Sequence, residues 1–170
     1  MQSRLFSLGN CLAICLLAVA ASCMMSCSSN KNLTVATPDQ IKEAILADRW
    51  VFVAQTAIPQ GGRSRMLDSR YEVRASRDTV TCYLPYFGQS FSGAGIMSNS
   101  NPMDFRSTKC TFDREEMKKG GYRVRMRPTD VSAVQMMTFD LYDNGNASLM
   151  VTLTGSSSIS YNGFVQPRTR

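Results

Sequence analysis

The order of apolar and polar positions predicts one short helix near residue 40. Thr37 precedes a proline at the first helical position, and Gln40 stands where a capping box places glutamine. Ile41, Ala44 and Ile45 then recur at the spacing of one helix face. We expect this amphipathic helix to pack on the sheet that follows.

From Trp50 onward, apolar and polar residues alternate in short runs, which is the pattern of antiparallel strands. The run WVFVAQTAI ends at Pro59, and YEVRA is followed by TVTCYL across a turn at 76–78. The segment from Gln89 to Pro102 is rich in glycine, serine and asparagine and is interpreted as a loop, after which MDFRSTKCTF resumes strand character. The sequence therefore predicts a mainly β (α+β) fold, in which one short N-terminal helix precedes roughly eight antiparallel strands of a barrel or sandwich-like sheet.

An Asn-Gly pair at residues 144–145 marks a hairpin whose register follows from the hydrophobic pattern. A two-residue turn would place Phe139 on the face opposite the apolar Leu149. A three-residue loop, with Gly145 left-handed at a bulge, brings both side chains to one face. We therefore predict the longer loop, with Tyr142 opposite Asn146.

The N-terminal segment has the composition of a bacterial lipoprotein signal. One charge, Arg4, precedes the apolar run LAICLLAVAA, which is too short to span a bilayer. Small residues lead to Cys23, the favoured lipidation site, and Cys27 is the alternative. We predict a signal peptide over 1–22, or to 26 if Cys27 is modified, a polar tether over 23–36, one β-rich domain over 37–165 and a C-terminal tail over 166–170. An ordinary cleaved signal peptide is the competing interpretation.

Charge and cysteine content fit an exported protein and give no indication of nucleic-acid binding. The chain has 19 basic and 13 acidic residues, a net charge of +6, with no block of like charges. Cys82 and Cys110 lie in strand-like runs. They are either a disulfide that an oxidising compartment permits or two small buried hydrophobes.

The available side chains argue against catalysis. The chain has no histidine, which removes Ser-His-Asp and Cys-His arrangements and every histidine-containing zinc site. The two domain cysteines lack the CxxC spacing of a metal or redox motif. Asp140 and Asp143 are more simply a strand-face residue and a turn residue than a glycosidase pair. We therefore expect no enzyme activity, no cofactor and no metal site.

Two groups of residues are candidates for a ligand or partner surface. Strand alternation puts Arg123, Arg125 and Arg127 on one face, where they either grip phosphate or carboxylate or pair with acids on neighbouring strands. In the stretch TVTCYLPYFGQSFSG, a strand ends near Pro85, and the chain after it is predicted to turn over the end of the sheet. Its aromatic residues, which either cap the core or form an exposed patch, are Tyr83, Tyr86, Phe87 and Phe91.

Five stretches of the chain carry a resemblance to a known family. They are GRSR from Gly62, RDTV and YLPYFG between Arg77 and Gly88, FDLYDNGNA from Phe139, and the closing ISYNG. In this order they resemble the small Bacteroidetes lipoproteins known as domain of unknown function 4251. The resemblance implies a cell-envelope lipoprotein with a mainly β domain, and it implies no activity and no functional residue. A cysteine pair is not part of it, so it implies no essential disulfide.

The tripeptide Asp78-Thr79-Val80 resembles the O-glycan acceptor of exported proteins in that phylum, with Thr79 modified; a turn aspartate before a strand is the simpler interpretation.

The sequence thus predicts a non-catalytic envelope lipoprotein, anchored through its lipid to a membrane facing the periplasm or the cell surface. It would bind an apolar small molecule, a lipid or a glycan. The alternative is a structural or protein-interaction module, and an enzyme comes third. An enclosed apolar cavity would favour the first function, and a filled core with an exposed aromatic patch would favour the second.

Overall fold

This computed structural model describes residues 36–68, 71–89 and 101–168, which form one helix and ten strands. The helix α1 spans Pro38–Leu46. The strands are β1 (Trp50–Pro59), β2 (Arg65–Met66), β3 (Glu72–Ser76), β4 (Thr79–Tyr83), β5 (Asp104–Ser107), β6 (Cys110–Glu116), β7 (Tyr122–Pro128), β8 (Val134–Leu141), β9 (Asn146–Leu153) and β10 (Ile159–Pro167).

All of these strands belong to one antiparallel sheet that curls into a nearly closed barrel. Its order is β5-β4-β3-β1-β10-β9-β8-β7-β6, and the short β2 pairs with β1. The predicted mainly β fold is confirmed, in its barrel-like form. The run MDFRSTKCTF, predicted to resume strand character, supplies β5 and the start of β6, which lie at opposite edges of the sheet.

The predicted capping box of α1 is present. The Gln40 backbone N–H donates to the Thr37 hydroxyl at 3.4 Å, and the Thr37 N–H donates to the Gln40 side-chain oxygen at 3.0 Å. Ile41, Ala44 and Ile45 form its buried face. That face packs mainly on β10 and β1, so the helix closes one end of the barrel, beside the β8–β9 turn.

The β8–β9 hairpin has the predicted register. Phe139 pairs with Leu149, and the Tyr142 N–H donates to the Asn146 carbonyl at 2.9 Å. Gly145 has a φ of 86°, the left-handed conformation that the three-residue loop requires. The hydrophobic pattern therefore decides the register here, because a slip of one residue would turn the buried side chains outward.

Side chains fill the interior of the barrel. The ring of Phe139 meets the rings of Trp50 and Phe52 edge-on, with centroids 4.9 and 5.8 Å apart. All three residues have no exposed surface, and aliphatic residues from the other strands surround them. Alternation along β7 to β10 supplies this packing, because every second side chain points inward.

The sheet has two edge strands, β5 and β6, and we call the gap between these edges the seam. Turns of the chain bridge this seam. Arg114 on β6 forms an ion pair with Asp48, in the turn between α1 and β1. The Asp48 carbonyl accepts the N–H of Arg77 at 2.9 Å, and the Cys110 N–H donates to the Asp78 carbonyl at 3.2 Å. Asp48 and Arg77 both adopt positive φ, 51° and 50°. These contacts join β6 to the β3–β4 hairpin without a continuous strand ladder.

Asp130 holds the connection between β5 and β6 in place. It lies between β7 and β8, and its carboxylate accepts a hydrogen bond from the Ser107 hydroxyl and another from the Thr108 N–H at 3.0 Å. The Ser107 hydrogen bond, followed by that of Thr108, lowers the pKa of Asp130 below its usual value. The Asp130 carboxylate therefore holds the β5–β6 connection, which runs from one edge of the sheet to the other, against the β7–β8 loop.

We predict that Asp48 and Arg114 are energetically coupled. Their side chains are 23% and 24% exposed, so the pair is only weakly screened by solvent. In a double-mutant cycle of D48N and R114Q, denaturant unfolding should give a coupling energy of about 1 kcal/mol or more. The exposed pair Arg125 and Asp113, treated in the same way, should give less than about 0.5 kcal/mol. Equal coupling energies for the two pairs would contradict a structural role for the seam.

Candidate binding surfaces

The segment Leu84–Gln89 crosses the end of the barrel opposite α1. The buried Tyr161 hydroxyl donates to the Pro85 carbonyl at 2.9 Å. The Tyr86 hydroxyl donates to the Ser157 carbonyl at 2.8 Å, and the Ser157 N–H donates to the Gln89 carbonyl at 2.9 Å. The chain therefore turns over the end of the sheet as predicted, and it is fastened to the β9–β10 connection.

Gly88 is required by the close packing of this segment. A Cβ atom there would lie 2.0 Å from the Tyr86 hydroxyl oxygen and 2.5 Å from the Ser157 hydroxyl oxygen. Both atoms belong to the hydrogen-bonded contact that holds the segment. Any side chain at position 88 would therefore separate the segment from the β9–β10 connection.

Tyr86 and Phe87 belong chiefly to this cap. Both are partly buried and pack against the core. The guanidinium carbon of Arg65 lies 4.5 Å from the centre of the Phe87 ring, a cation–π contact that the sequence did not indicate. Of the two interpretations of these aromatics, capping of the core describes Tyr86 and Phe87.

Tyr83 is the exposed aromatic of the stretch. It retains 46% of its accessible surface and stacks on Tyr71, with ring centroids 5.5 Å apart and planes inclined by 28°. The strand register puts Glu72 on one side of Tyr83 and Asp104 on the other. Tyr71 was not predicted. Strand alternation gave no signal for it: Glu72 lies opposite Tyr83, so a regular strand would point the Tyr71 side chain to the other face.

The three arginines of β7 lie on one face, as predicted, but only two are paired. Arg123 forms a bidentate contact with Asp140, at 2.6 and 2.9 Å. Arg125 reaches Asp113 at 2.9 Å and Glu115 at 3.0 Å. These hydrogen bonds raise the pKa of both guanidinium groups above their usual value. Arg127 is exposed and has no acidic partner among the described residues.

Cys82 and Cys110 are free thiols, so the disulfide that the sequence permitted is not formed. Cys82 points into the core from β4, whereas Cys110 begins β6 and directs its sulfur to the Ser107 hydroxyl at 3.1 Å. Burial is the main cause that raises the pKa of each thiol. Both are therefore protonated at neutral pH, which makes them poor nucleophiles.

Several predicted residues have little or no structural description. Thr79 begins β4, is partly exposed and follows Asp78 of the hairpin turn; its glycosylation stays a prediction. Cys23, Cys27 and Phe91 lie outside the described residues.

The described residues contain neither a metal-binding cluster nor a membrane-spanning helix. No group of three or more histidine, cysteine or acidic side chains is placed to hold a metal ion within 36–68, 71–89 and 101–168. In the same part of the chain, no helix has the length and apolarity needed to cross a membrane.

The fold and its surfaces define a class, an antiparallel β domain with a filled interior and two capped ends. A family model described as "Domain of unknown function (DUF4251)" matches residues 34–165, and the chain belongs to this family, which confirms the resemblance. It is similar to the crystal structure of a DUF4251 family protein from Bacteroides eggerthii DSM 20697, at 14% identity and a TM-score of 0.53. That match covers 76% of this chain and 87% of the other, and it supports the fold alone. No curated protein matches the sequence.

We predict that the Tyr86 hydroxyl stabilises the cap. Tyr86→Phe should lower the free energy of unfolding by about 1 kcal/mol, because the Ser157 carbonyl loses its donor. Tyr83→Phe is the matched control, since the Tyr83 hydroxyl makes no hydrogen bond within the described residues, and it should change stability by less than about 0.5 kcal/mol. Denaturant unfolding measures both variants. If Tyr86→Phe were as stable as Tyr83→Phe, the cap would not depend on this contact.

Proposed function

We propose that the protein is a non-catalytic lipoprotein of the bacterial cell envelope that acts as an interaction module. A lipid on Cys23, or alternatively on Cys27, would hold it at a membrane. Its β domain would contact another envelope protein through a surface centred on Tyr83. Among the functions that the sequence left open, this one fits the described structure best.

The filled interior supports a function on the outer surface. Trp50, Phe52, Phe139 and Tyr161 occupy the barrel with no exposed surface, and α1 and Leu84–Gln89 cover its ends. A ligand inside the barrel would have to displace these side chains. The cost is several kcal/mol for each large apolar residue whose packing is lost. Binding of an apolar molecule within the domain is therefore the less favoured function.

The stacked pair of Tyr71 and Tyr83 is the observation that carries this proposal. Tyrosine gives a large, rigid contact area at a low cost in side-chain entropy, and stacking on a partly buried neighbour fixes the ring further. Asp104, exposed on the adjacent strand, adds negative charge beside the negative face of the ring. A lysine or arginine on the partner protein fits this combination.

We predict that lipidation decides where the protein is found. With Cys23 changed to serine, the full chain should move from the membrane fraction to the soluble fraction, and Cys27→Ser should leave it membrane-bound. If Cys27 is the modified residue, the two results are exchanged. Fractionation followed by intact-mass measurement gives both the location and the added lipid. A doubly substituted protein that stays in the membrane fraction would contradict the anchor.

We predict that Tyr83 contacts a partner protein directly. A photo-crosslinking phenylalanine analogue at position 83, in cells of the producing bacterium, should give one defined crosslinked protein. The same analogue at Lys118, exposed in the β6–β7 turn, should not give it. Tyr83→Ala should reduce co-purification of that protein at least about tenfold, whereas Tyr83→Phe keeps the ring and should retain it.

The absence of any crosslink from position 83 would contradict the proposed surface. Equal crosslinking from positions 83 and 118 would contradict it as well, because it would indicate contact without a specific site. Neither result depends on which cysteine carries the lipid.

A further inference from the structure

A second surface feature lies on the outside of the barrel, away from β3 and β4. It is an open groove of about 620 Å³ across β7, β8 and β9, at the end where a loop joins β7 to β8. We call it the Arg127 groove. The side chains that matter for its chemistry are Arg127, Ser132, Gln135, Met136, Thr152 and Thr154.

Arg127 supplies an uncompensated positive charge to this groove. Its neighbours on the ladder, Arg123 and Arg125, are neutralised by carboxylates at hydrogen-bonding distance. Asp130, in the loop beside the groove, directs its two oxygens to Ser107 and Thr108. These carboxylates therefore form hydrogen bonds with groups other than Arg127. The Arg127 guanidinium is available to a ligand that accepts two hydrogen bonds, such as a carboxylate or phosphate.

Uncommitted polar groups surround this cation. The side chains of Ser132, Gln135, Thr152 and Thr154 make no hydrogen bond to another part of the described chain. Three hydroxyls and one amide can both donate and accept, which suits a ligand that carries several hydroxyl groups. Met136 adds an apolar surface that can lie against the carbon skeleton of such a ligand.

The groove has a fixed framework although it is open. The Thr154 N–H donates to the Ala133 carbonyl at 3.0 Å, and the Thr129 N–H donates to the Lys109 carbonyl at 2.9 Å. These bonds join both ends of the β7–β8 loop to neighbouring elements. A ligand would therefore meet polar groups that are already positioned, which reduces the ordering cost of binding.

We propose that the Arg127 groove binds an acidic sugar, with its anionic group on the Arg127 guanidinium and its hydroxyls on Ser132, Gln135 and Thr152. This site uses different strands from Tyr83, and it does not rest on the proposed protein partner. It gives the β domain a carbohydrate-binding function in addition to contact with a protein.

Isothermal titration calorimetry of the full-length protein in detergent tests the site, with glucuronate as the probe and glucose as the neutral analogue. Glucuronate should bind, and glucose should bind at least about tenfold more weakly because it lacks the anionic group. Arg127→Gln should weaken glucuronate binding at least about tenfold. Arg106→Gln is the matched control, because Arg106 is also exposed and has no acidic partner among the described residues.

The expected result is loss of binding in Arg127→Gln, retention in Arg106→Gln, and unchanged thermal unfolding in both. Three results would overturn the proposal. They are no detectable glucuronate binding, equal weakening by the two substitutions, and binding of inorganic phosphate as tightly as glucuronate. The last would identify a general anion site without sugar recognition.

Discussion

Closure of the sheet at its seam is the constraint on which the rest of the structure depends. A curled sheet with two free edges exposes unpaired backbone groups and leaves its interior open to water. Here β5 and β6 are those edges, and turns of the chain bring them together. Asp48 is central, because its carboxylate holds Arg114 and its carbonyl accepts the Arg77 N–H. The same residue adopts a positive φ of 51°.

Once the seam is closed, the inward residues of every strand share one interior. That interior holds the aromatic cluster around Phe139, α1 covers one end, and Leu84–Gln89 covers the other. The chemistry that remains available faces outward. The two candidate surfaces differ in kind: Tyr83 offers a rigid ring beside a carboxylate, whereas Arg127 offers an unpaired cation among hydroxyls. A small domain can thus keep a conventional core and still carry two candidate surfaces for the proposed interactions.

Sequence signals predicted those features that depend on residues close together in the chain. The Thr37 capping box and the register around Gly145 depend on residues a few positions apart, and both are confirmed. Contacts between distant segments had no such signal. The division of MDFRSTKCTF between two sheet edges, the Arg65 contact with Phe87 and the separation of Cys82 from Cys110 depend on how the sheet closes. The unpaired state of Arg127 belongs to this group, because it depends on where neighbouring carboxylates point.

The central claim is that the domain's own side chains fill the barrel, which leaves its outer surface for the proposed binding. Crystals of the protein under xenon pressure test this most directly, because xenon enters dry apolar cavities of sufficient size and is readily located by diffraction. The account predicts no xenon site among Trp50, Phe52, Phe139 and Tyr161. A well-occupied xenon site within that cluster would show an internal cavity and contradict the account.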